Sequence, residues 1–260
     1  MIFAHIDNVN KEIYLVSIPR DLYVDGRKIN SIYASYGMDE LARQISKLVG
    51  YKIDKYALID MYAFVDVIDL VGGIDVTLTS AVIDPSYKVF EDGKWGTLAY
   101  EAGDYHFNGT QALRIARSRH YSSDFDRAAR QQVILGALKA KAQNLGFGDA
   151  ATLASIIETI LGKLDTNIGV QEALSYYFRY QGFEIHSGYV LSGANVLVSS
   201  NYQVPDNATE EDKAKCLIAN VKPEDIELCS KFTNSYILLP RNNNWDTIKW
   251  YFREVFAGRI

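Results

Sequence analysis

Short β-type runs and helical stretches alternate through the first eighty residues, and this alternation holds the chain to the α/β folds. Ile2-Phe3-Ala4-His5-Ile6 reads as a strand. A polar turn at Asp7–Lys11 returns the chain through Ile13-Tyr14-Leu15-Val16, and Pro19 stops that second strand just before Arg20-Asp21. Met38 to Gly50 has Leu41, Ile45 and Leu48 on one helical stripe, with Gly50 placed to end it. Tyr56–Ile59 reads as a strand, Ala63–Val71 as a helix closed by Gly72-Gly73, and Ile74–Leu78 as a further strand. That strand–helix–strand spacing predicts a parallel crossover. The fold class is therefore α/β, a single domain over residues 1–260 with a central mixed β-sheet flanked by helices on both faces.

Beyond residue 80 the pattern loosens. Ala81 to Tyr105 is polar, aromatic and irregular, and is expected as an excursion near the site. Asn108 is placed to cap a short helix, Gly109–Ala116. Long helical patterns follow to about Asn144, over Asp149–Leu161 and over Ile168–Tyr180. Tyr189–Val204 is strand-like, residues 200–230 are expected as a variable loop, Tyr236–Pro240 is a last strand, and a last helix runs from Asn244-Trp245-Asp246 to about Phe256.

The chemistry concentrates between Ala112 and Gln132. Five arginines fall in the seventeen residues from Arg114 to Arg130, in a chain whose net charge is −5. Arg127 and Gln131 are four apart and share a helical face. Ser122, Ser123 and Asp124 are N-cap residue types ahead of the apolar run at Val133, so Arg127 falls in a first helical turn, where a cation is unfavourable unless an anion sits opposite. Arg117 and Arg119 point to one side if the chain between them is extended. Together these residues form a cup of forked donors suited to a phosphate or pyrophosphate. The alternative is a solvated basic face paired to the many acids.

With three other segments in order, this stretch resembles the LytR–CpsA–Psr family of cell-envelope phosphotransferases. The segments are Ser17-Ile18-Pro19-Arg20-Asp21, Lys28-Ile29-Asn30-Ser31-Ile32-Tyr33-Ala34, and Tyr56-Ala57-Leu58-Ile59-Asp60 leading into Val71-Gly72-Gly73-Ile74-Asp75-Val76; Gly103 and Phe107-Asn108-Gly109 complete the set. The likeness is best over residues 1–145. It implies transfer of a phosphoglycan, a teichoic acid or capsular polysaccharide, from a polyprenyl pyrophosphate carrier to peptidoglycan. It assigns phosphate binding to Arg20, Lys28, Arg117, Arg119, Arg127 and Gln131, and catalytic roles to Arg20, Asp21 and Asp124, the two aspartates orienting arginines or taking the acceptor's proton. Arg114 and Arg130 are expected as structural or surface residues.

The family also implies Mg²⁺ held by paired aspartates. Counted back from Arg20 these fall before Met1, so no metal ligand is expected in this chain, Asp7 being a poor substitute. A membrane helix preceding the domain, the outer face of the cytoplasmic membrane of a Gram-positive bacterium, and helices walling a polyprenyl cavity are further implications. Two rival readings stand beside the transferase: a polyprenyl-phosphate or glycolipid binding module without turnover, and an unrelated small-phosphate hydrolase. Nothing in the sequence supports a nucleic-acid partner, since the chain is acidic and no reader motif is present. The histidines have no metal spacing, and the sequence has neither a GxSxG nor a Walker loop. Cys216 and Cys229 fit a disulfide in an extracytoplasmic domain and fit two separate buried thiols equally.

Overall fold

The computed structural model describes residues 1–91, 93–118, 124–144, 150–202, 209–216, 222–225 and 234–260. Helices and strands are mixed throughout, as the sequence predicts. The chain divides into two compact units: Met1–Phe3, Val16–Ile53 and Tyr189–Ile260 form one, and Ala4–Leu15 with Asp54–Gly188 form the other. The division runs through strands β1 (Ile2–Asp7), β2 (Glu12–Ser17) and β11 (Glu184–Val190), which make a sheet in the order β1-β2-β11. Among the described residues the other ladders are two-stranded.

In the first unit, β3 (Tyr23–Val24) and β4 (Arg27–Lys28) form a tight hairpin that leads into helix α1 (Ile29–Val49). The helix is broken at Gly37, where φ is 82° and ψ −177°, so it restarts at Met38 as the sequence predicts, while the turns from Ile29 to Tyr36 extend it beyond the expected start. Only glycine takes that conformation without strain. Gly50, left-handed at φ 81°, ends the helix and donates its N–H to the Ser46 carbonyl at 3.0 Å. Ile32, Leu41, Ile45 and Leu48 are buried. Helix α8 (Asp246–Phe256) packs on α1, and Phe3 meets Phe252 edge-on at 5.5 Å. β12 (Leu197–Tyr202) pairs antiparallel with β13 (Asn234–Pro240). Within the expected loop at 200–230, α7 (Glu210–Cys216) and a 3-10 turn at Pro223–Asp225 are present. Cys216 is disulfide-bonded, and Cys229 lies outside the described residues.

The second unit departs from expectation in two places. β5 (Ala57–Leu58), helix α2 (Met61–Leu70) and β6 (Ile74–Leu78) are all present, but they do not form a parallel crossover. β6 instead pairs antiparallel with β9 (Gly103–Phe107), and β5 with β10 (Asp165–Thr166). The partner strands come from later in the chain, which local spacing does not reveal. The stretch 81–105, expected to be irregular, is a hairpin of β7 (Val82–Glu91) and β8 (Lys94–Tyr100) followed by β9. A bulge between Asp84 and Lys88 breaks its two-residue alternation, and that hid it.

Helix α3 (Gly109–Arg117) opens with a capping box: Asn108 accepts from the Gln111 N–H at 2.9 Å and Gln111 accepts from the Asn108 N–H at 3.1 Å. Helices α4 (Asp124–Asn144), α5 (Ala150–Leu161) and α6 (Val170–Tyr180) follow. The core of this unit gathers Ile68, Ile74, Val76, Leu98, Phe107 and Ile134 between the β6–β9 pair, the hairpin and helices α2, α3 and α4. It fixes where α3 ends and α4 runs, and so where the basic residues sit.

Candidate functional site

Each unit carries its own share of the basic residues. In the first, Arg20-Asp21-Leu22 is a short connection pinned on both sides. The first N–H groups of α1 donate back to it, Ile29 to the Leu22 carbonyl at 2.8 Å and Asn30 to the Arg20 carbonyl at 3.3 Å. Those are helix-start donors with no partner inside the helix. From the other side the Leu238 N–H of β13 donates to the Asp21 carbonyl at 2.9 Å, and Leu22 bridges Leu238 in parallel.

The backbone thus held presents Asp21, 6% exposed, between two cations. Lys28 Nζ donates to Asp21 Oδ1 at 2.8 Å and Arg20 Nε donates to Oδ2 at 3.2 Å. Burial alone would raise the Asp21 pKa; the hydrogen bonds from Lys28 and Arg20 outweigh it and hold the carboxyl below its ordinary value. Asp21 is therefore a weak base, and it orients the Arg20 guanidinium through one nitrogen only. Among the described residues the two terminal amino groups of Arg20 have no partner, and its side chain is 46% exposed.

Because its pKa is depressed on folding, Asp21 stabilises the fold above its unfolded pKa, near 3.9, and that contribution is lost as pH falls through the lower folded value. Asp21→Asn is expected to cost about 2 kcal/mol at pH 7, from two cations left beside a neutral amide. Thermal melts of both proteins should differ most above pH 5 and begin to converge only as the pH falls below about 4. A gap that persists at low pH would contradict the ionic account.

In the second unit, α3 ends at Arg117, which is exposed and without a partner among the described residues. Its neighbours are held from α4. Arg130 Nε donates to the Ile115 carbonyl at 3.1 Å and its Nη2 to the Ser118 carbonyl at 2.6 Å, while Gln131 Nε2 approaches the Ala116 carbonyl at 3.4 Å. The last carbonyls of a helix have no partner inside it, so α4 closes the end of α3. Arg127 lies one turn before Gln131, on the α4 face turned toward that end, and is half-buried. The shared face of Arg127 and Gln131 is thus realised, with one of the two Gln131 amide hydrogens turned toward Ala116 and the other left over. Arg119 and the Asp124 side chain lie outside the described residues; the Asp124 backbone begins α4. Arg130, expected as a structural or surface residue, is structural, and burial lowers its pKa against the opposing pull of Asp126 and Asp84.

The sequence pattern misses Asp84 and Ser118. Asp84 is 3% exposed on β7 and accepts from the Ser86 and Tyr87 N–H groups, each at 3.1 Å, and from Ser86 Oγ at 2.6 Å. Its other oxygen accepts from Ser118 Oγ at 3.2 Å. The only available signal was an Asp-Pro-Ser triplet, which reads as an ordinary turn.

Apolar side chains on the later helices are incompletely covered. On α5 Leu153 is buried, while Ile156, Ile157 and Ile160 are only half-buried; α6, rich in tyrosine, has no buried residue. Val133 and Leu135 on α4 are exposed. A Mg²⁺ ion needs clustered carboxylate oxygens. Among the described residues no group of three or more histidines, cysteines, aspartates or glutamates could hold a metal ion.

The polyisoprenyl-teichoic acid–peptidoglycan teichoic acid transferase TagV of Bacillus subtilis (strain 168) is 30% identical over 234 residues, 83% of this chain and 57% of the relative. The transferase TagU of Bacillus cereus (strain AH820) is 31% identical over 168 residues, 61% of this chain and 51% of the relative. This chain thus spans a little over half the length of either relative. The crystal structure of B. subtilis TagV superposes with a TM-score of 0.66 at 24% identity, covering 99% of this chain and 87% of that one, which shows a common fold. A model of the LytR_cpsA_psr family matches residues 1–215, and the chain belongs to that family.

Proposed function

We propose that this chain transfers a phosphoglycan, a teichoic acid or capsular polysaccharide, from a polyprenyl pyrophosphate carrier to peptidoglycan. The observation that carries the reading is that Arg20 and Arg117 are anchored at their backbones yet keep guanidinium donors unspent on protein carboxylates. Such fixed cations stabilise a phosphoryl group without reorganising during the reaction. The TagV and TagU relatives are named for transfer of teichoic acid from a polyisoprenyl carrier to peptidoglycan, which supports the reading.

In the step proposed, a peptidoglycan hydroxyl oxygen forms a bond to the glycan-side phosphorus. The bond from that phosphorus to the bridging oxygen breaks, and polyprenyl phosphate leaves with the electron pair. Negative charge grows on the leaving phosphate, and the family resemblance assigns its neutralisation to Arg20, Lys28, Arg117, Arg119 and Arg127, with Gln131 as a neutral donor. Asp21, ionised and tied to Lys28, orients Arg20; the acceptor's proton is assigned to Asp124. The half-covered apolar faces of α4, α5 and α6 suit a polyprenyl chain.

The disulfide at Cys216 favours an oxidising compartment, hence action at the outer face of the cytoplasmic membrane. Among the described residues no helix is long and apolar enough to cross a bilayer. The test is incubation with a radiolabelled lipid-linked glycopolymer and peptidoglycan. Label on the peptidoglycan with release of polyprenyl phosphate supports the transferase. Retention of intact lipid without transfer supports the binding-module reading instead.

A further inference from the structure

We infer that Asp84 and Arg130 are positioning residues that act through Arg117, clamping the end of α3 so that the Arg117 backbone is fixed and its side chain projects for the phosphate. This rests on the phosphate-binding role proposed above for Arg117. The clamp is built from two sides. From β7, the buried Asp84 carboxylate holds the Ser118 hydroxyl and at the same time closes its own bulge through Ser86 and Tyr87. From α4, the forked Arg130 guanidinium spans the Ile115 and Ser118 carbonyls. Arg117 lies between those two anchored positions. Ser118 itself is 1% exposed, and its N–H closes on the Arg114 carbonyl at 2.9 Å.

Arg117 therefore has a fixed backbone and an exposed side chain, and only the side chain needs ordering when an anion binds. Neither Asp84 nor Arg130 is spare for substrate. Asp84 already accepts from four donors, and the Arg130 donors described above go to main-chain carbonyls. A planar fork is required to span two carbonyls, and lysine does not supply one.

A double-mutant cycle separates positioning from general stability. Farnesyl pyrophosphate in detergent micelles is titrated calorimetrically into the wild type, Arg130→Gln, Arg117→Ala and the double variant. Arg130→Gln is expected to weaken binding about tenfold when Arg117 is present, and less than about twofold when it is already alanine. Arg130→Lys should resemble Arg130→Gln. Asp84→Asn carries the same cycle where Arg130→Gln folds poorly, with folding checked by thermal melts. Equal fold-losses with and without Arg117 overturn this inference alone. An Arg117→Ala variant that binds as tightly as wild type overturns the phosphate role of Arg117 and this inference with it.

Discussion

The double substitution Arg117→Ala, Arg127→Ala should reduce glycopolymer transfer by about 10²- to 10³-fold, and Arg117→Ala alone should leave the melting temperature within about 2 °C of wild type. The catalytic loss follows from the chemistry. Cleavage of the pyrophosphate bridge concentrates charge on the departing phosphate, and removing one preorganised donor aimed at such charge typically costs about 2.7–4 kcal/mol of transition-state stabilisation. The two arginines sit on neighbouring elements of one unit, α3 and α4, that pack together, so their effects should be less than additive. The small thermal effect follows from placement. Arg117 is exposed and without a partner among the described residues, while the carbonyls around it are held by Arg130 and Gln131. Equal kinetics in the variant would remove these arginines from the site. A fall in Tm that matches the fall in activity would make them structural.

Gly109→Val has the largest expected effect on stability. A Cβ at Gly109 would lie 2.2 Å from the Val65 carbonyl oxygen and 2.7 Å from the Val65 Cα. Those are backbone atoms of α2 and cannot swing aside. The Gly109 N–H also donates to Asp69 Oδ1 at 2.7 Å, drawing the start of α3 onto α2. Valine must push the helices apart and stretch that bond. Overpacking of this kind costs about 3 kcal/mol, at the upper end of its range, or a loss of about 8 °C in Tm for a chain of this size. Differential scanning calorimetry measures it. Because α3 carries Arg117, transfer should fall with stability. A variant with wild-type Tm would mean that α2 and α3 are not packed this closely.

Several features were legible because their physics is local. Gly50 and Asn108 mark a helix end and a helix start through backbone conformation and nearby donors, which a few residues determine. The share of face between Arg127 and Gln131 needed only the helical period. The arginine cluster stood out against an acidic chain. What escaped notice depended on distant partners. Nothing near Asp84 says that its second oxygen meets Ser118, thirty-four residues on. The β7–β8 hairpin was concealed by the bulge that Asp84 itself closes. The pairing of β6 with β9 and of β5 with β10 is set by strands that arrive later, so a local strand–helix–strand pattern suggested a parallel crossover that the chain does not make. The sequence left Arg130 as a structural or a surface residue, and its two carbonyl partners decide for the first.

The most direct test of the central claim is mass spectrometry of the organic extract of the purified protein, alongside the Arg117→Ala, Arg127→Ala variant, with polyprenyl pyrophosphate supplied in micelles before purification. The wild type should retain polyprenyl phosphate or pyrophosphate at near one molecule per chain, and the variant at least about tenfold less. Wild-type protein that emerges with no polyprenyl species after exposure to excess lipid would contradict the account of a lipid-pyrophosphate site.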